Sequence, residues 1–181
     1  MKLIAFVGMP ASGKSEAAAI ARKLGIPVVN MGDVVREETK RRGLPPTDVN
    51  IGGTGTALRR EEGMDVIAKR CVPKIRVIRT PVVVVDGTRN INEIDHFKKE
   101  FGKDFKLIAI HTPFELRFER VRKRARSDDM NSMEELIKRD EREIGWGLDK
   151  AIKKADITIN NTETIDKFQK QIEQLLGNIW K

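Results

Sequence analysis

Apolar residues in this chain fall into short continuous runs that alternate with longer segments in which apolar and charged positions recur at helical spacing. The runs are typical of strands that are covered on both faces, and the periodic segments are typical of amphipathic helices. Strands are predicted at 2–8, 26–30, 80–87, 105–112 and 155–161. Helices are predicted at 14–25, 32–43, 91–102, 113–126, 132–145 and 162–177. This alternation predicts an α/β fold, a parallel five-stranded sheet with helices on both faces.

Residues 44–63 depart from this alternation. Their sequence, LPPTDVNIGGTGTALRREEG, contains two prolines and several glycines, and it shows little periodicity before Thr56. Such a composition predicts a loop that leads into a helix of about 15 residues. Long irregular loops in compact domains are often functional, so we expect this segment to be a mobile flap.

Composition restricts the classes of protein to be considered. Charged residues make up 34% of the 181 positions, and no run approaches the ~20 apolar residues of a membrane span. The apolar N-terminal run leads directly into a glycine-rich loop without a small-residue cleavage site, so we expect no signal peptide. Cys71, the one cysteine, fits a reducing compartment. We therefore expect a cytoplasmic protein without membrane contact, whose oligomeric state the sequence leaves open.

The formal net charge of +8 indicates an anionic ligand. The basic residues concentrate in RFERVRKRAR at 117–126, whereas tyrosine is absent and aromatic residues total 5%. A platform on which nucleic-acid bases stack is therefore poorly supplied. Small phosphorylated ligands are favoured over RNA or DNA, which remain an alternative.

Residues 8–15, GMPASGKS, lie between the first predicted strand and the first predicted helix. A glycine, four residues and Gly-Lys-Ser is the spacing of a phosphate-binding loop, in which backbone N–H groups and a helix N-terminus surround an anion. Lys14 is placed to neutralise the β- and γ-phosphates, and Ser15 to bind Mg²⁺ through its hydroxyl. The predicted nucleotide-binding residues are Gly8, Pro10, Ala11, Ser12, Gly13, Lys14, Ser15 and Glu16.

A second anchor for Mg²⁺ is predicted at the end of the buried strand at 80–87. Four valines precede Asp86 there, and a carboxylate in this position can hold the ion through water. Asp-Gly is also a common turn pair, so a purely structural role is the alternative. Arg89 follows three residues later and is expected at the carboxyl ends of the strands, where ligands bind in such sheets.

Asp33 and Arg36 follow the second predicted strand in the sequence VNMGDVVREETKRRG. Their spacing of three places them on one face of the next helix, which also begins at the ligand-binding edge of the sheet. A helix-start carboxylate and a solvated arginine are the structural alternative.

Arg117, Arg120 and Arg124 share a helix face at three- and four-residue spacing, with Arg126 just beyond. Like charges at this spacing repel mildly unless an anion lies between them, as a transferring phosphoryl group would. A solvated basic face, partly neutralised by neighbouring glutamates, is the alternative. Arg139 and Arg142, which follow the break SDDMNS, could close on the same site.

The chain resembles the P-loop nucleoside monophosphate kinases, adenylate kinase most of all. GMPASGKS is similar to the family's GxPGxGKG/S loop, NMGDVVRE to STGDMLR, DGTRN to DGFPR, and ELRFERVRKR to ELLVERLxxR. KRDEREIGWG is more loosely similar to the arginine-bearing helix after the lid. The likeness runs from residue 2 to about 145 and continues in ADITINN, which also resembles dephospho-coenzyme A kinases. This combination of motifs is most similar to an archaeal set of proteins related to adenylate kinases and dephospho-coenzyme A kinases.

The resemblance implies a three-layer P-loop NTPase fold in one domain, residues 1–181. It implies an acceptor-binding flap at about 31–72, a short helical lid at about 122–140, and ATP and Mg²⁺ as cofactors. The catalytic residues that it implies are Lys14, Asp86, Arg120, Arg124 and Arg139. The acceptor-binding residues that it implies are Asp33, Arg36 and Arg89. Asn161 and Thr162 are implied near the donor base.

The expected reaction is transfer of a phosphoryl group from a nucleoside triphosphate to a small phosphorylated acceptor, a nucleoside monophosphate. Transfer to a hydroxyl, as in dephospho-coenzyme A, is the alternative and would use Asp33 as the base. A nucleic-acid-directed P-loop enzyme and a regulatory nucleotide-binding protein also remain open. A GTPase switch is disfavoured because the sequence contains no Asn-Lys-x-Asp stretch.

Overall fold

The computed structural model describes residues 1–124 and 132–180, apart from the side chains of Arg124 and Trp180. The strands are β1 (Lys2–Val7), β2 (Val28–Asn30), β3 (Val82–Asp86), β4 (Phe105–His111) and β5 (Ile157–Asn160). The helices of the described residues are α1 (Lys14–Lys23), α2 (Met31–Arg41), α3 (Asp48–Glu62), α4 (Val66–Arg76), α5 (Ile91–Phe101), α6 (Phe114–Arg124), α7 (Met133–Gly145), α8 (Leu148–Lys153) and α9 (Ile165–Trp180).

All neighbouring strands in the sheet are parallel, in the order β2-β3-β1-β4-β5. β1 is central, and its side chains alternate between two apolar cores because successive residues of a strand point to opposite faces. Leu3, Ala5 and Val7 contribute to one core, whereas Ile4 and Phe6 contribute to the other. The predicted α/β fold, with a five-stranded parallel sheet covered on both faces, is confirmed.

The helices divide between these two faces of the sheet. α1 and α9 cover one face, where Ile20 of α1 shares a core with Phe168 and Ile172 of α9. Helices α2 to α5 and α8 contribute to the core on the other face. Because the strands are parallel, the loops that follow their carboxyl ends all open at one edge of the sheet. The phosphate-binding loop, Asp86 and Asn161 therefore lie at that edge.

The loop predicted within residues 44–63 was too long, since α3 begins at Asp48 and includes three of the glycines. The helix starts there because the Thr47 hydroxyl accepts a hydrogen bond from the Asn50 backbone N–H at 3.2 Å. Glycine inside a helix costs roughly 1 kcal/mol, but tertiary packing of a helix face often outweighs propensity. In α3 that packing involves the buried glycines Gly52 and Gly55.

The predicted lid at about 122–140 is only partly described. α6 ends at Arg124 and α7 begins at Met133, whereas Arg126 and the side chain of Arg124 lie outside the described residues. A Ser132–Glu135 capping box starts α7. Within residues 1–124 and 132–180, no helix is both long and apolar enough to cross a membrane.

Candidate active site

The phosphate-binding loop joins β1 to α1, and its tight path depends on two glycines. A Cβ at Gly8 would lie 2.5 Å from the Ile110 carbonyl oxygen and 2.6 Å from Ser12 Oγ. Gly13 adopts a left-handed φ of 111°, and a Cβ there would collide with the Asn161 side chain. The loop backbone can therefore pack this closely only because both positions lack side chains.

Lys14 is buried at the start of α1, with its ammonium folded back over the loop. Its Nζ donates to the carbonyl oxygens of Gly8 and Met9, at 2.6 and 2.8 Å. Burial, and after it the nearby Arg89 guanidinium, lower the pKa of Lys14 to about 7, while the carboxylates of Glu143 and Asp86 act to raise it. A polyphosphate beside this ammonium would stabilise its charged form.

Asp86 ends β3, directly opposite Phe6 of β1 in the sheet register. It is 5% exposed, and its Oδ1 atom has no hydrogen-bond partner in the described part of the chain. Burial raises the pKa of Asp86, although the Lys14 ammonium acts in the opposite direction. An orphaned carboxylate oxygen beside a phosphate-binding loop fits a cation that would supply the missing partner.

The loop offers two further groups for a metal–nucleotide complex. Ser15 is exposed in the first turn of α1, and Ser12 Oγ is buried without a partner among the described residues. In the same residues, no cluster of three or more His, Cys, Asp or Glu could hold a metal ion by itself. In many phosphate sites Mg²⁺ takes substrate phosphates and water as ligands beside one or two protein groups.

Arg120 lies against the phosphate-binding loop and the segment that follows β5. Its Nη2 donates to the backbone oxygen of Asn161 at 2.8 Å, and its Nη1 donates to Thr112 Oγ1 at 3.2 Å. Asn161 Nδ2 in turn donates to the Ser12 carbonyl at 2.9 Å. Thr162 is exposed beside this group. Arg120 and Asn161 are thus brought together against the loop, at the place where the donor base was expected.

Arg117, in contrast, is fixed inside the protein. Its guanidinium forms a two-pronged ion pair with Asp140 of α7, at 2.9 and 2.6 Å, and also donates to the Pro10 carbonyl at 3.0 Å. Arg117 is buried, and both of its Nη atoms are engaged, whereas its Nε has no hydrogen-bond partner among the described residues. It links α6, α7 and the phosphate-binding loop.

A cavity next to the loop is enclosed by α2, α3 and α7, and arginines from several elements line it. Arg36 and Arg89, which the sequence predicted as acceptor residues, both contribute to it. Asp33 is not part of the lining; its carboxylate is more than half exposed and pairs with Arg36 at 2.7 Å. The other charged residues of the lining are Asp48, Arg59, Arg139, Arg142 and Glu143. The apolar part of the lining is Met31, Val35, Ile51, Ile67 and Trp146.

Glu143 is the most buried carboxylate in this cavity, and sequence reasoning did not identify it. It is 2% exposed; its Oε2 accepts from Arg89 Nη1, and its Oε1 accepts from Arg139 Nε at 3.2 Å. Burial acts to raise the pKa of Glu143, but the Arg89 and Arg139 guanidiniums outweigh it and hold the pKa below its usual range. Glu143 is therefore an ionised partner of two predicted site residues.

Glu93 of α5 is a second carboxylate that the sequence did not reveal. It is fully buried; Oε1 accepts from Arg59 Nη2 at 2.8 Å, and Oε2 accepts from the Arg89 backbone N–H at 2.6 Å. Because it binds the backbone of Arg89, Glu93 fixes the direction in which that arginine enters the cavity.

The far wall of the cavity is formed where α7 packs on α3. Arg142 makes a two-pronged ion pair with Asp48, both contacts at 2.9 Å, and a Cβ at Gly52 would lie 2.6 Å from Arg142 Nε. The Arg59 guanidinium lies over the Trp146 ring, 4.3 Å from its centroid. The spacing of Arg139, Arg142, Glu143 and Trp146 places them on one face of a helix, which was the available sequence signal.

A parallel sheet in this strand order, with a GxxxxGKS loop after β1 and an aspartate at the end of β3, defines a P-loop protein with a kinase-like fold. Residues 7–137 match a family model described as an AAA domain. The chain belongs to the UPF0200 family. It is 54% identical over 178 residues to a UPF0200 protein of Methanosarcina barkeri, covering 98% of this chain and 96% of the relative.

Two solved structures of kinases share the fold at low sequence identity. Shikimate kinase from Bacteroides thetaiotaomicron is 16% identical, with a TM-score of 0.62 over 97% of this chain and 98% of that one. A gluconokinase from Sinorhizobium meliloti 1021 is 19% identical, with a TM-score of 0.59 over 99% and 95% of the two chains. The resemblance to the P-loop kinases that the sequence motifs indicated is thus confirmed.

Proposed function

We propose that this protein transfers the γ-phosphoryl group of Mg²⁺-bound ATP to a small phosphorylated acceptor, a nucleoside monophosphate. The observation that carries the proposal is the cavity that Arg36, Arg89 and Arg139 help to line. Phosphoryl transfer needs a donor site and an anion-binding acceptor site in contact, with cations between them. The coupling of Lys14 to Arg89 and Glu143 supports such contact.

The donor half consists of the loop and its surroundings. Backbone N–H groups of residues 8–15 and Lys14 would hold the phosphates, while Ser15 and, through water, Asp86 would hold Mg²⁺. When bound, the ion neutralises charge that develops on the β- and γ-oxygens. Arg120 would contact the donor from the side of Asn161, and Arg124 is proposed to join it.

The acceptor half favours a phosphate over a hydroxyl. A phosphate acceptor needs no strong general base, whereas a hydroxyl needs a carboxylate that can take its proton. Glu143 is a poor base because both its oxygens pair with arginines and its pKa is lowered. Asp33 pairs with Arg36 outside the cavity lining. Arg36 and Arg89 line the cavity and would exchange their contacts with Asp33 and Glu143 for an acceptor that is already anionic.

Transfer to a hydroxyl is the second candidate, because the shikimate kinase and the gluconokinase share this fold. In that case Asp33 would turn into the cavity and act as the base. The two candidates differ in the product that forms, so one assay separates them.

The test is incubation with ATP and Mg²⁺ against nucleoside monophosphates, dephospho-coenzyme A, shikimate and gluconate, followed by chromatography of the products. We expect a nucleoside diphosphate, and a loss of about 10²–10³-fold in rate for Lys14→Ala, as for removal of other transition-state charge donors. Lys23→Ala, an exposed change on the same helix, is the matched control and should retain full activity.

Phosphorylation of hydroxyl acceptors alone would replace the first candidate with the second. Binding of ATP without any phosphorylated product would instead support a regulatory nucleotide-binding protein.

A further inference from the structure

The acceptor cavity contains a carboxylate at the place where the acceptor's anion is proposed to bind. Glu143 reaches Arg89 with one oxygen and Arg139 with the other, and all three side chains line the cavity. Arg139 also lies 3.5 Å from Asp48. The guanidiniums proposed to receive a phosphate are thus already engaged by an anion that belongs to the protein.

Burying a carboxylate is costly, and Glu143 is tolerated only because both of its oxygens are paired. An anionic ligand that binds Arg89 and Arg139 must interact with these arginines more favourably than Glu143 does. A monoanionic carboxylate would exchange one carboxylate for another, and it would also lose the entropic advantage of a tethered group. A phosphate carries about −1.5 to −2 charges and three strong acceptor oxygens at neutral pH, so it offers the arginines more charge and more acceptors than Glu143 does.

We propose that Glu143 is an internal competitor for the acceptor's phosphate, which holds Arg89 and Arg139 in the ligand-free cavity and is displaced when the phosphate binds. Glu143 thereby sets an affinity threshold that phosphates pass and monoanionic carboxylates do not. This inference rests on the proposed function for the location of the acceptor, but it concerns anion binding and does not require turnover.

The opposite role makes the opposite prediction. If Glu143 served only to hold Arg89 and Arg139 in place, its removal would disorder them and weaken anion binding. If it competes, its neutralisation strengthens anion binding. The sign of the change in affinity therefore distinguishes a competitor from a positioning residue.

The test is calorimetric titration of the full chain with inorganic phosphate and, separately, with acetate at matched ionic strength. Mg²⁺ and a triphosphate analogue with a methylene bridge between its β- and γ-phosphorus atoms are present throughout, so that the donor loop is filled. Glu143→Gln should bind phosphate about tenfold more tightly than the unmodified chain, because a tethered competitor has been neutralised. Acetate should give no measurable heat with the unmodified chain and a measurable heat with Glu143→Gln.

Glu141→Gln is the matched control, since it makes the same charge change at an exposed position of the same helix. It should leave phosphate affinity unchanged. Glu143→Asp provides a second variant if Glu143→Gln does not fold, because the shorter carboxylate keeps its charge but cannot reach both arginines. It should show a smaller gain in phosphate affinity.

Unchanged or weaker phosphate binding in both Glu143 variants would overturn the proposal. Acetate binding to the unmodified chain as tightly as phosphate would overturn it without any variant. Failure of the triphosphate analogue to bind would count against the proposed function itself, which keeps the two failures distinct.

Discussion

Lys14 shows how strongly burial in the phosphate-binding loop changes the pKa of a single side chain. Burial of its ammonium and the nearby Arg89 guanidinium destabilise the charged form, although the carbonyl oxygens of Gly8 and Met9 accept hydrogen bonds from it. In the unfolded chain the same group has an ordinary pKa of 10.5. A bound triphosphate would restore the charged form, because an opposite charge in contact raises the pKa of a lysine.

Nucleotide binding at pH 8 should therefore be accompanied by proton uptake. The folded, ligand-free protein has a Lys14 pKa of about 7, so this side chain is mostly neutral at pH 8 and gains a proton when phosphates arrive. Calorimetry of MgADP binding in buffers of different ionisation enthalpy measures that uptake directly. Lys14→Met, which retains the length but removes the titrating group, should abolish it. Identical heats in all buffers for the unmodified protein would contradict the prediction.

At the scale of single elements, α3 is informative because two adjacent glycines have different surroundings. A Cβ at Gly52 would collide with the Arg142 guanidinium, whereas a Cβ at Gly53 would meet nothing within 4 Å. Gly53 is exposed and Gly52 is buried. Alanine at Gly53 therefore changes helix propensity alone, whereas alanine at Gly52 also changes the packing of α7 on α3.

Gly53→Ala should stabilise the protein by about 1 kcal/mol, because alanine is the better helix former and the site is open. Gly52→Ala gains the same propensity but pushes Arg142 away from Asp48, so we expect lower stability than for Gly53→Ala and a higher acceptor KM. Thermal unfolding and steady-state kinetics of the two variants provide the measurements. Equal behaviour of both would show that the Arg142–Asp48 contact is unimportant for the acceptor site.

The elements differ in how well their sequences predicted them. β1 and β3 were predictable because strands buried on both faces are continuously apolar, and the loop motif gave the position of Lys14. The start of α3 was not predictable, because its glycines have low helix propensity, whereas the helix is stabilised by tertiary contacts. The pairing of Glu143 with Arg89 and that of Arg117 with Asp140 were also beyond sequence reasoning, since the partners lie far apart in the chain. Whether the predicted acceptor and donor residues act as assigned remains a prediction.

On the scale of the whole molecule, the sheet holds the donor loop while α3 and α7 close the acceptor cavity. The contacts of α7 with α3 are largely polar: the Arg142–Asp48 pair, and Trp146 Nε1, which donates to Thr56 Oγ1 at 3.2 Å. Within α3, Leu58 is the apolar side chain that is fully buried in the core, and regions with few buried apolar contacts open at lower free energy than strands such as β1 and β3. α3 is therefore expected to open more readily than β1 or β3.

Hydrogen exchange should detect this difference and its dependence on ligand. We expect amides of residues 48–62 to be less protected without ligand than with a donor analogue and an acceptor, while β1 stays protected in both states. Mass spectrometry of peptides from the two regions gives the comparison. Equal protection of residues 48–62 in both states would argue against a flap.

The ion pair between Arg117 and Asp140 also has a mechanical consequence. Near its middle α7 is fastened to the Pro10 carbonyl of the donor loop through Arg117, and at its C-terminal end it is fastened to α3 through Arg142. Rigid helices and chains of ion pairs and hydrogen bonds can carry energetic coupling between two sites. A movement of Pro10 on donor binding would then be passed to the α3–α7 wall of the acceptor cavity. We therefore expect binding of the donor to change the affinity for the acceptor, and binding of the acceptor to change the affinity for the donor.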